Sequence, residues 1–116
     1  MKEIGLDDIG KYIKALHCGI RWEIIDFLNT GPKSSDEIFQ YLKDFREKVH
    51  SNTANCIGNC QKDFKKDIKK QNIYYHLREL EKVRIIVLDE FKPSERAPEK
   101  VWKLNYEKLI INFKSQ

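Results

Sequence analysis

Gln71, Tyr75, Arg78 and Lys82 recur at a spacing that places all four on one face of a single helix. An amide, a phenol, a guanidinium and an ammonium in one row can hydrogen-bond to base edges and pair with phosphates. The chemistry of such a row is recognition, not bond making. Ile73, Leu77 and Leu80 keep the i, i+4, i+7 rhythm of a core stripe and would hold the opposite face against the molecule. Lys69 and Lys70 add two cations at the N-terminal end. The spacing predicts a helix over about 69–82. An ordinary solvated helix can show a similar front, so its surroundings must decide.

A second group with possible chemistry is Cys56-Ile-Gly-Asn-Cys60, with His50 nearby. Two cysteines at this spacing supply half of a tetrahedral zinc set. His50, or His17 with Cys18, would have to complete it. Three readings stand: free thiols, a redox-active Cys56–Cys60 disulfide, or a bound metal. No cofactor is expected. The chain has no nucleophile–base pair in a motif context, no glycine-rich phosphate loop and no paired-carboxylate signature, so an enzyme is not expected.

The elements that must position these residues follow from size and pattern. At 116 residues the chain reads as one domain with a single modest core. Its 34% charged residues and few glycines and prolines suit a folded, helix-rich protein. No apolar run approaches bilayer length and no signal-peptide pattern opens the chain, so a cytoplasmic location without membrane contact is expected. Net charge is only +4, but it is unevenly spread. Residues 1–42 carry 5 Lys/Arg against 7 Asp/Glu, residues 43–84 carry 11 against 6, and residues 85–116 carry 6 against 5. The cationic excess therefore surrounds the row on residues 69–82.

Leu6, Ile9, Ile13 and Leu16 predict a first helix after Asp7 and Asp8. Ile20, Ile24, Phe27 and Leu28 predict a second, ended by Gly31 as a left-handed cap and by Pro32. Ser34-Ser-Asp-Glu37 has capping-box spacing and should start a third, with Ile38 and Leu42 on its inner face. Residues 43–49 could prolong that helix. After the fourth, Ile85–Leu88 reads as a strand, the polar segment Lys92–Lys100 as an open loop, and Val101–Tyr106 as a returning strand. Tyr106, Leu109, Ile110 and Phe113 predict a closing amphipathic helix. Trp22 and Trp102 sit in periodic elements and read as packing residues, and His76, beside the apolar stripe, as a core or hydrogen-bonded residue.

In this order of elements, three segments carry a resemblance. They are Ala15-Leu-His-Cys-Gly-Ile-Arg-Trp-Glu-Ile-Ile-Asp-Phe-Leu28, Gly31-Pro-Lys-Ser-Ser-Asp-Glu-Ile-Phe-Gln-Tyr-Leu42 and Asn72-Ile-Tyr-Tyr-His-Leu-Arg-Glu-Leu-Glu81. Followed by strand, loop and strand, they resemble the ArsR-like winged helix-turn-helix transcriptional regulators over about 15–42 and 68–106. The resemblance implies a mainly α, α+β domain with a two-stranded wing and helices at both ends. It further implies a homodimer joined through the first and last helices, here with Ile9, Ile13, Leu109, Ile110 and Phe113. Double-stranded DNA would be the partner, with residues 69–82 in the major groove. Lys70, Gln71, Tyr74 and Tyr75 match positions that meet DNA in that family, and the helical wheel independently selects Gln71, Tyr75 and Arg78. Lys69 and Lys70 would hold phosphates. Lys92, Arg96 and Lys100 would carry the wing to the backbone or minor groove, diluted by Glu95 and Glu99.

Two features depart from the family. Residues 43–67 stand where it has a short turn between the support and reading helices. They hold Arg46, Lys48, Lys62, Lys65 and Lys66, which suit either a backbone-covering element or a sensing element. Metal-sensing members carry cysteine in the third helix, and residues 36–42 have none. Arg84 stands where the family often has glycine, implying a different path into the strand. The rival function is a winged-helix protein-interaction module that does not touch DNA. An acidic or apolar front on the fourth helix would be its mark.

Overall fold

Ser34 and Glu37 open the longest helix as their spacing predicts. In the computed structural model, which describes residues 2–51, 67–93 and 97–114, the Ser34 N–H donates to Glu37 Oε1 at 3.0 Å. The Glu37 N–H returns a bond to Ser34 Oγ at 3.2 Å. Two otherwise free amides are thus satisfied reciprocally. The bond from the Ser34 amide, then that from its hydroxyl, holds the Glu37 carboxyl below its ordinary range; burial opposes this, and Lys92 and Lys33 assist.

A lowered folded-state pKa adds stability above the unfolded carboxyl's pKa of about 4.3, and that increment disappears as pH falls through the folded value. Urea melts of the parent and Glu37→Gln should therefore differ at neutral pH and converge in acid. Ser34→Ala should cost about 1 kcal/mol.

The element order is β1 (Lys2–Ile4), α1 (Ile9–Leu16), α2 (Gly19–Leu28), β2 (Lys33–Ser34), α3 (Ser35–Ser51), α4 (Lys70–Lys82), β3 (Ile86–Lys92), β4 (Glu99–Leu104) and β5 (Leu109–Ile111). The result is an α+β fold in which a three-stranded antiparallel sheet, order β2-β4-β3, packs against the helices. Ile24, Ile38, Leu42, Ile73, Leu77, Leu80 and Ile86 are fully buried and bring α2, α3, α4 and β3 into one core. Phe27 of α2 stacks on Tyr41 of α3 with ring centroids 4.1 Å apart. Among the described residues no helix is long and apolar enough to cross a membrane.

β3 and β4 form a hairpin whose ladder runs from Ile86↔Leu104 to Lys92↔Glu99, with a bulge at Asp89. Strand pairing therefore reaches into both ends of the polar segment expected to be open loop. Trp102, on β4, is buried, and its indole N–H donates to Ser35 Oγ at 3.1 Å. This ties the sheet to the start of α3.

Two expectations need correction, the closing helix and Trp22. The closing helix is absent: residues 109–111 form β5, paired in parallel with β1 in the register Lys2↔Leu109, Glu3↔Ile110, Ile4↔Ile111. Ile110 and Ile111 are β-branched and favour extended backbone, and the N-terminal strand supplies a partner. In α1 the buried residues are Tyr12 and Ala15, while Ile13 faces solvent. α1 turns Ile9, Tyr12 and Leu16 toward the core and leaves Ile13 outside, in keeping with its place among the surface apolar residues expected at a dimer face, whereas Ile9 is half-buried. Trp22 is not a packing residue, being 52% exposed.

Arg84 adopts a glycine-like backbone conformation at the end of α4. Its φ is +65°, in the left-handed region that glycine favours. The Arg84 N–H donates to the Glu81 carbonyl at 2.9 Å, and the Ile85 N–H to the Leu80 carbonyl at 3.1 Å. With Val83 as C-cap, this pair of bonds is the Schellman motif. Asn105 then holds the turn to β4's exit, its Nδ2 donating to the Arg84 carbonyl at 3.0 Å. Relief of the left-handed strain exceeds the extra chain entropy of glycine, so Arg84→Gly should stabilise the fold by about 0.5–1 kcal/mol. The measurement is a higher urea midpoint at unchanged m.

Candidate functional site

α4 is fixed from behind. Ile73, Leu77 and Leu80 are buried, and the helix touches α1, α2, α3 and β3. Gln71, Tyr74, Tyr75, Arg78 and Lys82 are all exposed, as is Lys69 at the N-cap. The sequence-predicted row is thus present as one outward surface of amides, phenols and cations. These side chains differ, however, in how free they are to meet a ligand.

Arg78 and Tyr74 line a cleft of about 320 Å³ between α4 and β4, together with Lys100, Glu81 and Glu99. Tyr75 is more committed. The Arg21 guanidinium carbon lies 5.5 Å from its ring centroid, and its phenol helps to lower the Glu79 pKa. For Glu79, burial disfavours the carboxylate, but Lys82 at 3.4 Å, Tyr75 and Arg21 outweigh it and lower the pKa.

Lys70 is also engaged. Its ammonium pairs with Asp36 Oδ1 at 3.0 Å, and the hydrogen bond to Asp36 raises the lysine pKa. Asp36 in turn donates its backbone N–H to Glu99 Oε1 at 2.6 Å. The starts of α3, α4 and β4 therefore meet in one polar knot. Glu37 and Glu99 occupy the N-terminal amides of α3, so that end is already supplied with negative charge. Among the described residues Lys69 makes no ion pair, which leaves it as the freer cation of the two.

On the hairpin, Lys92 is exposed opposite Glu99, and the Lys100 ammonium lies 5.6 Å from the Trp102 ring centroid. Arg96 lies outside the described residues. So do Cys56 and Cys60, the rest of the segment from 52 to 66, and the His50 side chain. Cys18 is a free, half-buried thiol at the start of α2, and His17 is exposed. Among the described residues no group of three or more His, Cys, Asp or Glu could hold a metal ion.

One positioning residue has no visible signal in the sequence. Arg21 is 7% exposed. Its guanidinium donates to the Lys14 and Ala15 carbonyls, each at 3.1 Å, and through Nε to His76 Nδ1 at 3.1 Å. A single cation thus closes the C-terminus of α1, where carbonyls lack helical partners, and clamps it to α4. His76 serves as a half-buried acceptor, in keeping with the hydrogen-bonded role expected for it. No known protein family and no curated protein sequence matches the chain.

Proposed function

We propose that this chain is a sequence-specific regulator of transcription that binds double-stranded DNA through a winged helix-turn-helix. In this reading α3 is the support, α4 enters the major groove, and the β3–β4 hairpin is the wing. The observation that carries it is the outer face of α4, where Gln71 and Arg78 are exposed beside Lys69 and Lys82 while the opposite face is buried. Gln and Arg can each make bidentate contacts, to adenine and guanine respectively, and the lysines can neutralise phosphates.

The regulator acts as a homodimer. With no closing helix, the second element of the interface becomes the β1–β5 strand pair beside α1. Leu6, Ile13, Ile111 and Phe113 are exposed, whereas Ile9, Leu109 and Ile110 are half-buried. A two-fold dimer reads half-sites about one helical turn apart.

Titration of genomic fragments at two salt concentrations tests the proposal. Specific binding should be of nanomolar class and should weaken steeply with salt. The exposed rings of Tyr74, Tyr75 and Phe91 favour a second reading, a protein-interaction module on the same scaffold. Absence of any sequence-dependent binding at low salt decides for the module.

A further inference from the structure

Trp22 presents an aromatic surface that the fold holds in place without covering. Its indole N–H donates to the Leu16 carbonyl at 2.7 Å, which fixes the ring, yet half of the side chain remains exposed. The ring borders a cleft of about 420 Å³. One wall is the α2 stripe Trp22, Ile25, Asp26 and Asn29, at the i, i+3, i+4, i+7 spacing of a single helix face. The facing wall comes from Leu104 and residues 106–109, and Ile85 lies between. None of the α4 side chains proposed to meet DNA lines it. Its size, its apolar sides and its few polar groups are those of a small-molecule site.

Charge selects the class of molecule. Asp26 and Glu107 place two carboxylates on the lining against the one ammonium of Lys108. The last carbonyls of α2 are capped by the amides of Asn29, Thr30 and Gly31, so the charge on this side of the cleft comes from the side chains.

We propose that this cleft binds a small organic cation, an ammonium group carried on an aromatic or apolar body. The body packs on Trp22, Ile25 and Leu109, and the ammonium is held by Asp26 and Glu107. The site is independent of what α4 recognises.

The test uses three probes of one shape and different charge: 2-phenylethylamine, phenylalanine and 3-phenylpropionate. Binding to the full chain is followed by tryptophan fluorescence and by saturation-transfer NMR of the probe. The amine should bind saturably and most tightly, the zwitterion less, and the anion least. Asp26→Asn or Glu107→Gln should weaken the amine about three- to tenfold, and Lys108→Gln should tighten it. Trp22→Phe should abolish the fluorescence response, because Trp102 is buried. The proposal is overturned if neither method detects the amine, if the anion binds as tightly, or if both carboxylate variants leave the amine titration unmoved.

Discussion

Replacing Arg21 with methionine should destabilise the protein by about 3 kcal/mol and lower its melting temperature by roughly 10 °C or more. Methionine conserves much of the apolar stem and so isolates the guanidinium. That group makes three hydrogen bonds from a nearly buried position: two to the last turn of α1 and one to His76 on α4. Its removal leaves the Lys14 and Ala15 carbonyls and the His76 nitrogen short of a donor where water has little access. Bonds from a charged donor are the costly ones to lose. Lysine should rescue only a minor part, because a single ammonium on a flexible stem lacks the planar fork that reaches all three acceptors. The effect should also be local. Amide exchange in α1 and α4 should accelerate in Arg21→Met more than exchange in the β3–β4 ladder, since the clamp joins those two helices. Equal acceleration everywhere would show that the clamp acts on the whole fold and not on these two helices, and a loss below about 1 kcal/mol would show that the guanidinium is replaceable by solvent.

The contrast between Arg21 and Ser34 explains what the sequence reveals and what it conceals. A capping box is a contact between residues three apart, so its partners are visible in one turn of chain. The same holds for the stripe Ile73, Leu77, Leu80 and the row in front of it. The Arg21 acceptors are two backbone carbonyls, which no side-chain pattern marks, and a histidine 55 positions away. The β1–β5 pair is concealed for the same reason. Residues 106–113 have helical periodicity when read alone, and their strand partner lies at the other end of the chain. Arg84 shows a third case. The left-handed turn is demanded by the Leu80 and Glu81 carbonyls at the end of α4, whatever residue occupies it, so an arginine can hide a glycine-like position. Within the candidate site, exposure of the row was legible. The engagement of Lys70 by Asp36 and of Tyr75 by Arg21 was not, because both partners come from other helices.

Under the proposed DNA-binding function, those engagements decide which substitutions should matter most. Arg78→Ala should weaken the preferred sequence by about 1–3 kcal/mol, roughly tenfold to a hundredfold, while barely changing binding to random duplex. Gln71→Ala should act in the same way at a different base pair. Both side chains stand on the exposed face of α4, and among the described residues neither is in an ion pair with an acidic side chain. Tyr75→Phe should have a smaller effect, because the phenol is already drawn toward Glu79, whose pKa it helps to lower. Lys69→Ala should weaken all sequences alike and reduce the salt slope by about one. Lys70→Ala should be worse than Lys69→Ala, since it also leaves the Asp36 carboxylate facing the phosphates without its counter-ion. By the same logic Asp36→Asn should strengthen binding to every sequence, by releasing the Lys70 ammonium. Fluorescence anisotropy with one specific and one scrambled duplex, at two salt concentrations, separates these patterns. If Arg78→Ala and Lys69→Ala weaken both duplexes equally, α4 is an electrostatic platform and sequence is read elsewhere.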